Sequence, residues 1–245
     1  HNAVLDHCHF VGCRSETAGG GLACNGFVLL VFACEFLECM SSKEAGGMFA
    51  SGGILEIKCT IFELCHGEGG DTNASGTAFR TSNSDVICSD VTLFQCWNTT
   101  HPYKDNVYGM DGGRVEVTRV NSSHCNGHLG GLGGHFASLS SDSKVSFLNI
   151  ESGNERTLND VWMSPLTITY LNAIGNTVTA GLFYITSTTL TVSHACIFGN
   201  NKATHYGDGR FFIYDSFSDL YTQANLTSST VTIEMRICES CLGSS

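Results

Sequence analysis

Three short segments of this chain share one sequence pattern and follow one another at a constant spacing. Residues 10–13, 36–39 and 62–65 each read Phe-x-x-Cys, and 26 residues separate each segment from the next. A glycine pair follows the first two segments at the same distance, at positions 20–21 and 46–47. A repeat of roughly 20 to 50 residues is typical of solenoids, in which one structural unit packs on the next. This repeat therefore constrains the fold more strongly than any other feature of the chain.

The segments that lead into these blocks alternate apolar and polar residues, as β-strands do. Similar strands recur as far as residues 231–233, and no helical stretch separates them. Short turns between like strands exclude the helical crossovers of a doubly wound sheet. The sequence thus predicts an all-β fold, a parallel β-helix (solenoid) of about nine coils. A β-sandwich or jelly roll is the alternative.

The alternation also predicts which side chains form the core. In each of two strands, a set of apolar residues shares one parity, and we expect these side chains to face inward. The sets are Leu30, Phe32, Cys34 and Phe36, and Leu190, Val192, Cys196 and Phe198. We expect one ladder of core residues to run through the coils: Phe10, Phe36, Phe62, Leu93 and Phe198. A parity shift between Cys59 and Phe62 predicts a β-bulge. The glycine pairs are expected to permit positive φ or a close approach of main chains at a bend.

Length and charge limit the domain organisation and the partners. The repeat predicts a single domain over residues 1–245, as a segment of a longer solenoid or a unit that stacks end to end. The net charge is −11 with 12 basic residues and no basic cluster, so we expect no nucleic acid partner. The longest apolar run, residues 27–34, is far shorter than the roughly 20 residues that span a bilayer, so we expect no membrane insertion by this segment. A start at His1 instead of Met predicts a mature or excised chain.

The chain contains 13 cysteines, which indicates an oxidising, extracellular setting. Cys13, Cys39, Cys65, Cys96 and Cys125 are expected to stack in one column, and Cys8, Cys34 and Cys196 in a second. Parallel strands lie about 4.8 Å apart, a Cα separation that a disulfide tolerates. Free thiols that fill the core are the equal alternative. The candidates for disulfides are Cys8, Cys13, Cys34, Cys39, Cys59, Cys65, Cys88, Cys96, Cys125, Cys238 and Cys241.

Four Asn-x-Ser/Thr sequons occur in the chain, and three of them follow or lie between the repeat cores, where turns are expected. They are Asn73, Asn98, Asn121 and Asn225. Each is a candidate for N-glycosylation in a secreted or surface-displayed protein.

The combination of Phe-x-x-Asn and Gly-Gly-apolar motifs resembles the repeat of the polymorphic membrane protein family, the chlamydial surface adhesins and autotransporters. Phe198-Gly199-Asn200-Asn201 has the Asn form, and the segments that begin at Phe10, Phe36 and Phe62 have a Cys form. Similar Cys-bearing repeats occur in surface proteins of parasitic protists. The resemblance covers about two-thirds of the chain. It implies a right-handed parallel β-helix, display outside the cell, and adhesion or a structural coat.

Patterns for catalysis and metal binding are weak. Cys238 and Cys241 form a single CxxC pair, which is insufficient for zinc. His7, Cys8 and His9, and the trio His124, Cys125 and His128, are candidates for a metal, but alternation places His7 and His9 opposite Cys8. Asp111 and Asp208 have no acidic partner at a fixed offset for acid and base catalysis. We therefore expect no catalytic residues, no metal and no cofactor.

Together these features predict a non-enzymatic, extracellular structural or adhesive surface protein. Filaments formed by end-to-end stacking, with copies of itself or further coils as the partner, are part of this expectation. A host glycan or protein is the other expected partner, bound through the long loops at 67–75 and 98–110. The alternative is a polysaccharide lyase or glycoside hydrolase built on a β-helix.

Overall fold

The computed structural model describes residues 2–67, 75–97, 105–111, 113–125, 136–139, 142–151, 154–155, 159–162, 165–178, 182–201, 205–206, 210–214, 216–218 and 232–234. Within these ranges the regular structure consists of β-strands. None of these residues belongs to a helix with the length and apolar character needed to cross a bilayer.

The described residues form 24 strands, most of them short. In chain order they are β1 (Asn2–Asp6), β2 (His9–Val11), β3 (Arg14–Ser15), β4 (Leu22–Phe32), β5 (Glu35–Leu37), β6 (Met40–Ser41), β7 (Met48–Lys58), β8 (Ile61–Glu63), β9 (His66–Gly67), β10 (Ser75–Phe94), β11 (Asp105–Asp111), β12 (Arg114–Ser123), β13 (Phe136–Leu139), β14 (Asp142–Glu151), β15 (Asn154–Glu155), β16 (Asn159–Trp162), β17 (Leu166–Ile174), β18 (Thr177–Val178), β19 (Phe183–Thr186), β20 (Thr189–Phe198), β21 (His205–Tyr206), β22 (Arg210–Tyr214), β23 (Phe217–Ser218) and β24 (Thr232–Glu234).

Each strand pairs in parallel with its counterpart in the next coil. The central sheet contains β1, β4, β7, β10, β12, β14, β17, β20, β22 and β24. A second sheet contains β2, β5, β8, the later halves of β10, β12, β14, β17 and β20, and then β23. A third sheet contains the early halves of β4, β7 and β10, and then β11, β13, β16, β19 and β21.

Two short columns complete the coils: β3 with β6 and β9, and β15 with β18. Because the pairings among the described strands are parallel, the structure confirms the parallel β-helix and excludes the sandwich alternative. The number of coils differs slightly from the nine predicted, since ten described strands lie in the central sheet.

In the first eight coils the chain turns from the central sheet to the second sheet at one residue with positive φ. These corner residues are His7, Ala33, Cys59, Asp90, Arg119, Phe147, Tyr170 and His194. A single left-handed residue interrupts the alternation of a strand, so inward and outward positions exchange at the corner. Leu29 and Val31 are buried before the corner at Ala33, and Cys34 and Phe36 are buried after it.

Two sequence predictions are therefore wrong. Leu30 and Phe32 do not share the inward face of Cys34, because the φ of 50° at Ala33 lies between them and shifts the phase. The parity shift before Phe62 is a corner and not a β-bulge. There β7 ends at Lys58, Cys59 has a φ of 52°, and β8 begins at Ile61.

The predicted aromatic ladder is present in the first coils. The rings of Phe10 and Phe36 stack with centroids 4.6 Å apart, and those of Phe36 and Phe62 with centroids 4.8 Å apart. Leu93 pairs in register with Phe62 and is fully buried. Each member covers the apolar face of the member before it, and this burial stabilises the stack of coils.

Phe198 does not belong to this ladder, although the sequence placed it there. In β20 the corner at His194 moves Ala195 and Ile197 inward, and both are fully buried. Phe198 follows Ile197 directly, points outward and is 52% exposed. Ile197 occupies the ladder position.

The glycine pairs serve a close approach of main chains and not a positive φ. A Cβ on Gly46 would lie 2.4 Å from the main-chain nitrogen and oxygen of His66, and one on Gly47 would lie 2.5 Å from the carbonyl oxygen of Ala78. Neither glycine has a positive φ. The prediction of a close approach is confirmed, and the prediction of positive φ is wrong for this pair.

Replacing Phe62 with alanine is expected to lower the free energy of unfolding by about 3–5 kcal/mol, because it removes a buried ring between two neighbours. Urea denaturation followed by circular dichroism measures the change. Phe198→Ala is the matched control, because it removes the same side chain from the outer surface and should cost about 1 kcal/mol or less. Equal losses for the two variants would contradict the assignment of Phe62 to the core and of Phe198 to the surface.

Candidate functional site

The cysteines of the repeat bind the coils to one another through hydrogen bonds. The thiol of Cys39 donates to the carbonyl oxygen of Phe10 at 3.2 Å. Cys65 donates in the same way to Phe36 at 3.3 Å, and Cys96 to Phe62 at 3.4 Å. In each case the acceptor is the first residue of the Phe-x-x-Cys block in the preceding coil. The column predicted for Cys13, Cys39, Cys65, Cys96 and Cys125 is present in the register of the second sheet.

Asparagine takes over the same position in the later coils. The Asn176 amide donates to the carbonyl oxygen of Ile150 at 3.1 Å, and the Asn200 amide donates to that of Ala173 at 2.8 Å. Both asparagines are buried, and Asn176 also donates to the side chain of Asn200. The Cys and Asn forms of the repeat are therefore two ways to supply one buried donor. In this coil the buried donor is Asn200, whereas the Phe-x-x-Asn pattern predicts Asn201.

The eleven described cysteines are free thiols. Among these residues the free-thiol alternative is confirmed, and the prediction of disulfides is wrong. Cys238 and Cys241 lie outside the described residues. Cys8 and Cys34 share the predicted second column, since the Glu35 amide donates to the carbonyl oxygen of Cys8. Cys196 does not join them. It pairs with Asn172, one position further along the strand, and Ala195 takes the expected place.

Burial makes several of these thiols poor nucleophiles. It raises the pKa of Cys65, Cys88 and Cys96, and that of Cys88 reaches about 12. The thiolate is the reactive form, so a raised pKa lowers reactivity at neutral pH. Cys59 differs from this group, because it lies exposed at a corner of the fold.

The predicted metal candidates are separated in space or engaged elsewhere. His7 is bonded to Asp6, and His9 is bonded to Glu35 across the coils at 2.7 Å. Both imidazoles are exposed while Cys8 is half-buried, so the predicted opposition of these faces is confirmed. His124 packs edge-on against Phe94, and His128 lies outside the described residues. Among the residues that the structure describes, no group of three or more His, Cys, Asp or Glu side chains could hold a metal ion.

Several described carboxylates are held by arginine. Glu44 pairs with Arg80 in a largely buried contact at 2.5 Å. Arg119 makes two hydrogen bonds to Asp90, of 2.6 and 2.7 Å, and this contact lowers the pKa of Asp90. The structure does not test Asp111 and Asp208, the carboxylates considered in the sequence analysis, because their side chains lie outside the described residues.

A shallow groove lies on the outer face of the central sheet among the described residues. It has a volume of about 410 Å³ and crosses β12, β14 and β17. The residues that line it are Glu116, Val117, Thr118, Val145, Ser146, Thr167 and Thr169. We call it the outer groove. The side chains of Val117 and Val145 are buried, so at these positions main-chain atoms form the floor.

A row of hydroxyl groups runs through the outer groove from coil to coil. Thr118, Ser146, Thr169 and Ser193 lie in register on successive strands. The hydroxyls of Thr118 and Ser146 are 3.2 Å apart and hydrogen-bonded. Each of these residues directly precedes a corner, where the side chain must point out of the sheet. The fold thus aligns hydroxyls that are 28, 23 and 24 residues apart in the sequence.

An aromatic ridge follows the hydroxyl row at the next residue of β14, β17 and β20, whereas Arg119 has this position on β12. The rings of Phe147 and Tyr170 stack with centroids 4.5 Å apart, and those of Tyr170 and His194 with centroids 4.9 Å apart. Phe147 is 51% exposed and Tyr170 is 45% exposed. These three corner residues form the aromatic ridge. It lies beside the polar residues of the outer groove on β14 and β17.

An amide row lies on the far side of the aromatic ridge. Asn121, Asn149 and Asn172 are in register, and the Asn149 amide donates to the Asn121 side-chain oxygen at 2.7 Å. Asn121 is the one predicted sequon asparagine among the described residues, and it is exposed on β12. Asn73, Asn98 and Asn225 lie outside the described residues, as do residues 98–104 of the predicted loop at 98–110. The rest of that range belongs to β11, which pairs with β10, so the prediction of a loop is wrong there.

Sequence reasoning missed the outer groove and the aromatic ridge. A signal was present, because a Ser or Thr followed by an outward residue recurs at 118–119, 146–147, 169–170 and 193–194. This signal could not be interpreted without the positions of the corner residues, because the intervals are irregular. In the sequence alone, the residues of the aromatic ridge resemble residues inside a strand.

Comparisons with protein families, with curated proteins and with solved structures found no match for this chain. The functional assignment therefore depends on the geometry and chemistry of the chain itself.

Asn176→Ala is expected to lower the free energy of unfolding by about 2–4 kcal/mol, because it leaves the buried carbonyl oxygen of Ile150 and the Asn200 side chain without this donor. Asn176→Cys is the matched variant, since a thiol performs the same role in the earlier coils, and it should recover part of the loss. Chemical denaturation measures both. If the Cys variant is no more stable than the Ala variant, the equivalence of the two repeat forms is wrong.

Thiol labelling of the folded protein is expected to separate exposed from buried cysteines. At pH 8, Cys88, with its pKa raised to about 12, has roughly 1000-fold less thiolate than a cysteine of ordinary pKa. Iodoacetamide followed by peptide mass spectrometry should therefore modify Cys59 first, and Cys65, Cys88 and Cys96 only after unfolding. Labelling in denaturant without reductant is the control. Failure of the described cysteines to react there would show disulfides in place of the thiols.

Proposed function

We propose that this chain is a non-enzymatic structural or adhesive protein displayed outside the cell. The observation that supports it best is the alignment of like side chains in outward rows along a rigid solenoid. A partner that touches one coil meets a similar group on the next, about 4.8 Å away. Such a surface suits binding to repetitive or extended partners and does not require a catalytic centre.

The state of the carboxylates supports a non-enzymatic function. Glycoside hydrolysis uses one carboxyl group as an acid and a second as a base or nucleophile. Glu44, Asp90 and Glu116 are instead paired with Arg80, Arg119 and Arg114. The buried thiols are also unsuited to nucleophilic catalysis, because burial raises their pKa. The polysaccharide-active alternative keeps one favourable observation, which is that Glu116 borders the outer groove.

Extracellular display and N-glycosylation remain part of the proposal. The exposed position of Asn121 is compatible with a sugar at that sequon. The resemblance to surface adhesins supports display outside the cell. The host partner is a glycan or a protein.

End-to-end assembly is the structural side of the same proposal. The first described coil presents the main-chain edges of β1 and β2 and a half-buried Phe10, whose other ring face is stacked on Phe36. Further coils or another copy of the chain would pair with these edges and cover that ring.

The purified full chain is expected to bind cell surfaces and to release no sugar from neutral or acidic polysaccharides. Flow cytometry measures binding of the labelled chain, and a reducing-end assay measures hydrolysis or lysis. Glu116→Gln is the control for a catalytic role and should leave the absence of sugar release unchanged. Electron micrographs of the same sample should contain rods or fibres. Polysaccharide breakdown that Glu116→Gln abolishes would replace the proposal with the enzymatic alternative, and an absence of cell binding together with compact single particles would refute it.

A further inference from the structure

We propose that the outer groove binds an uncharged, hydroxyl-rich glycan chain that lies along the solenoid axis, across β12, β14 and β17. This inference rests on the proposed adhesive function and names the site and the ligand class. It differs from binding through the long loops, because it uses the face of the central sheet.

The floor of the outer groove has the hydrogen-bonding groups that sugars require. Thr118, Ser146 and Thr169 are half-buried and Thr167 is exposed, so their hydroxyls are fixed by the strands but open to a ligand. A hydroxyl group both donates and accepts, as sugar hydroxyls do. The volume of about 410 Å³ suits a short oligosaccharide segment.

The direction of the hydroxyl row selects a polymer over a single sugar. The row crosses the strands, so it advances by one coil, about 4.8 Å, at each step. A chain of repeated sugar units that follows this row can make a similar contact on each coil. Several weak contacts along one ligand then add to a useful affinity.

The aromatic ridge supplies an apolar border. Phe147, Tyr170 and His194 stack on one another, so much of their ring faces is covered and their edges are the surface available to a ligand. A pyranose ring has apolar C–H groups between its hydroxyls, and these can pack against such edges while the hydroxyls bind the floor. Amphipathic ligands with this alternation fit a groove whose floor is polar and whose border is apolar.

Charge disfavours an acidic ligand. The described residues that line the outer groove include one charged group, Glu116, which is paired with Arg114. Two further cations have positions beside this lining: Lys144 is in register with Glu116, and the corner residue Arg119 is paired with Asp90. Asp142 is in register with Arg114, so the three cations here are matched by three carboxylates. With a net charge of −11 on the chain, uronic acid, sulfate and phosphate polymers are repelled.

Isothermal titration of the full chain tests the inference with four hexasaccharides from three charge classes. Cellohexaose and laminarihexaose are neutral, a hyaluronan hexasaccharide is acidic, and a chitosan hexamer is cationic. At least one neutral hexasaccharide should bind, and hyaluronan should bind at least tenfold more weakly. Preferred binding of hyaluronan or chitosan, or binding of no neutral hexasaccharide, would overturn the proposed ligand class.

Three variants locate the site. Thr118→Val and Thr169→Val each remove one hydroxyl with little change in shape, and each should weaken binding roughly 5- to 10-fold. The double variant should weaken it by about the product of the two. Thr92→Val is the matched control, because Thr92 is also half-buried on a strand but belongs to the second sheet away from the outer groove. Its affinity should equal that of the unmodified chain.

The variants also separate this inference from the proposed adhesive function. Equal melting temperatures for the variants exclude a folding defect. Binding of a neutral hexasaccharide that the double variant retains would overturn the outer groove as the site. Cell binding without glycan binding would overturn the glycan inference and leave the adhesive function standing.

Discussion

Hydrogen bonds between the main chains of successive coils, in parallel and in register, are the constraint on which this structure depends. The amide of His66 donates to the carbonyl oxygen of Cys39 at 2.9 Å, and the amide of Met40 donates to that of Cys13 at 2.8 Å. Such pairing forces residues at equivalent positions to lie directly above one another. Every column must then contain side chains that tolerate their own neighbours, and the aromatic ladder, the thiol column and the hydroxyl row all follow from this requirement.

The interior and the exterior of the solenoid obey different requirements. Inside, each column must fill the space between sheets and satisfy buried polar groups, so cysteine and asparagine can replace one another as donors in the Cys65 and Asn176 positions. Outside, a column needs only to avoid repulsion between neighbours. Asp90 over Arg119 and the aromatic ridge are two solutions of this kind. The exterior is therefore where this fold can vary its chemistry without loss of the core.

The corners connect these two sides. Each positive φ exchanges inward and outward positions and points one side chain away from the body of the coil. Because the residues before Phe147 and Tyr170 are the small Ser146 and Thr169, a groove forms beside a row of large corner side chains. A binding surface thus arises from the contrast in size between adjacent rows, with no insertion or loop needed to build it.

The sequence by itself determined the repeat, the parallel stacking and the identity of most columns. Phe10, Phe36 and Phe62 align because their spacing equals one coil, and the same spacing places Cys13, Cys39 and Cys65 above one another. Only the tertiary structure decided which faces point outward after each corner. The corner residues Ala33, Cys59 and His194 share no side-chain type, so their left-handed conformation leaves no mark in the sequence. For this reason Phe198 and Cys196 were misplaced, and the outer groove, whose residues come from three coils of unequal length, became visible only when the coils were stacked.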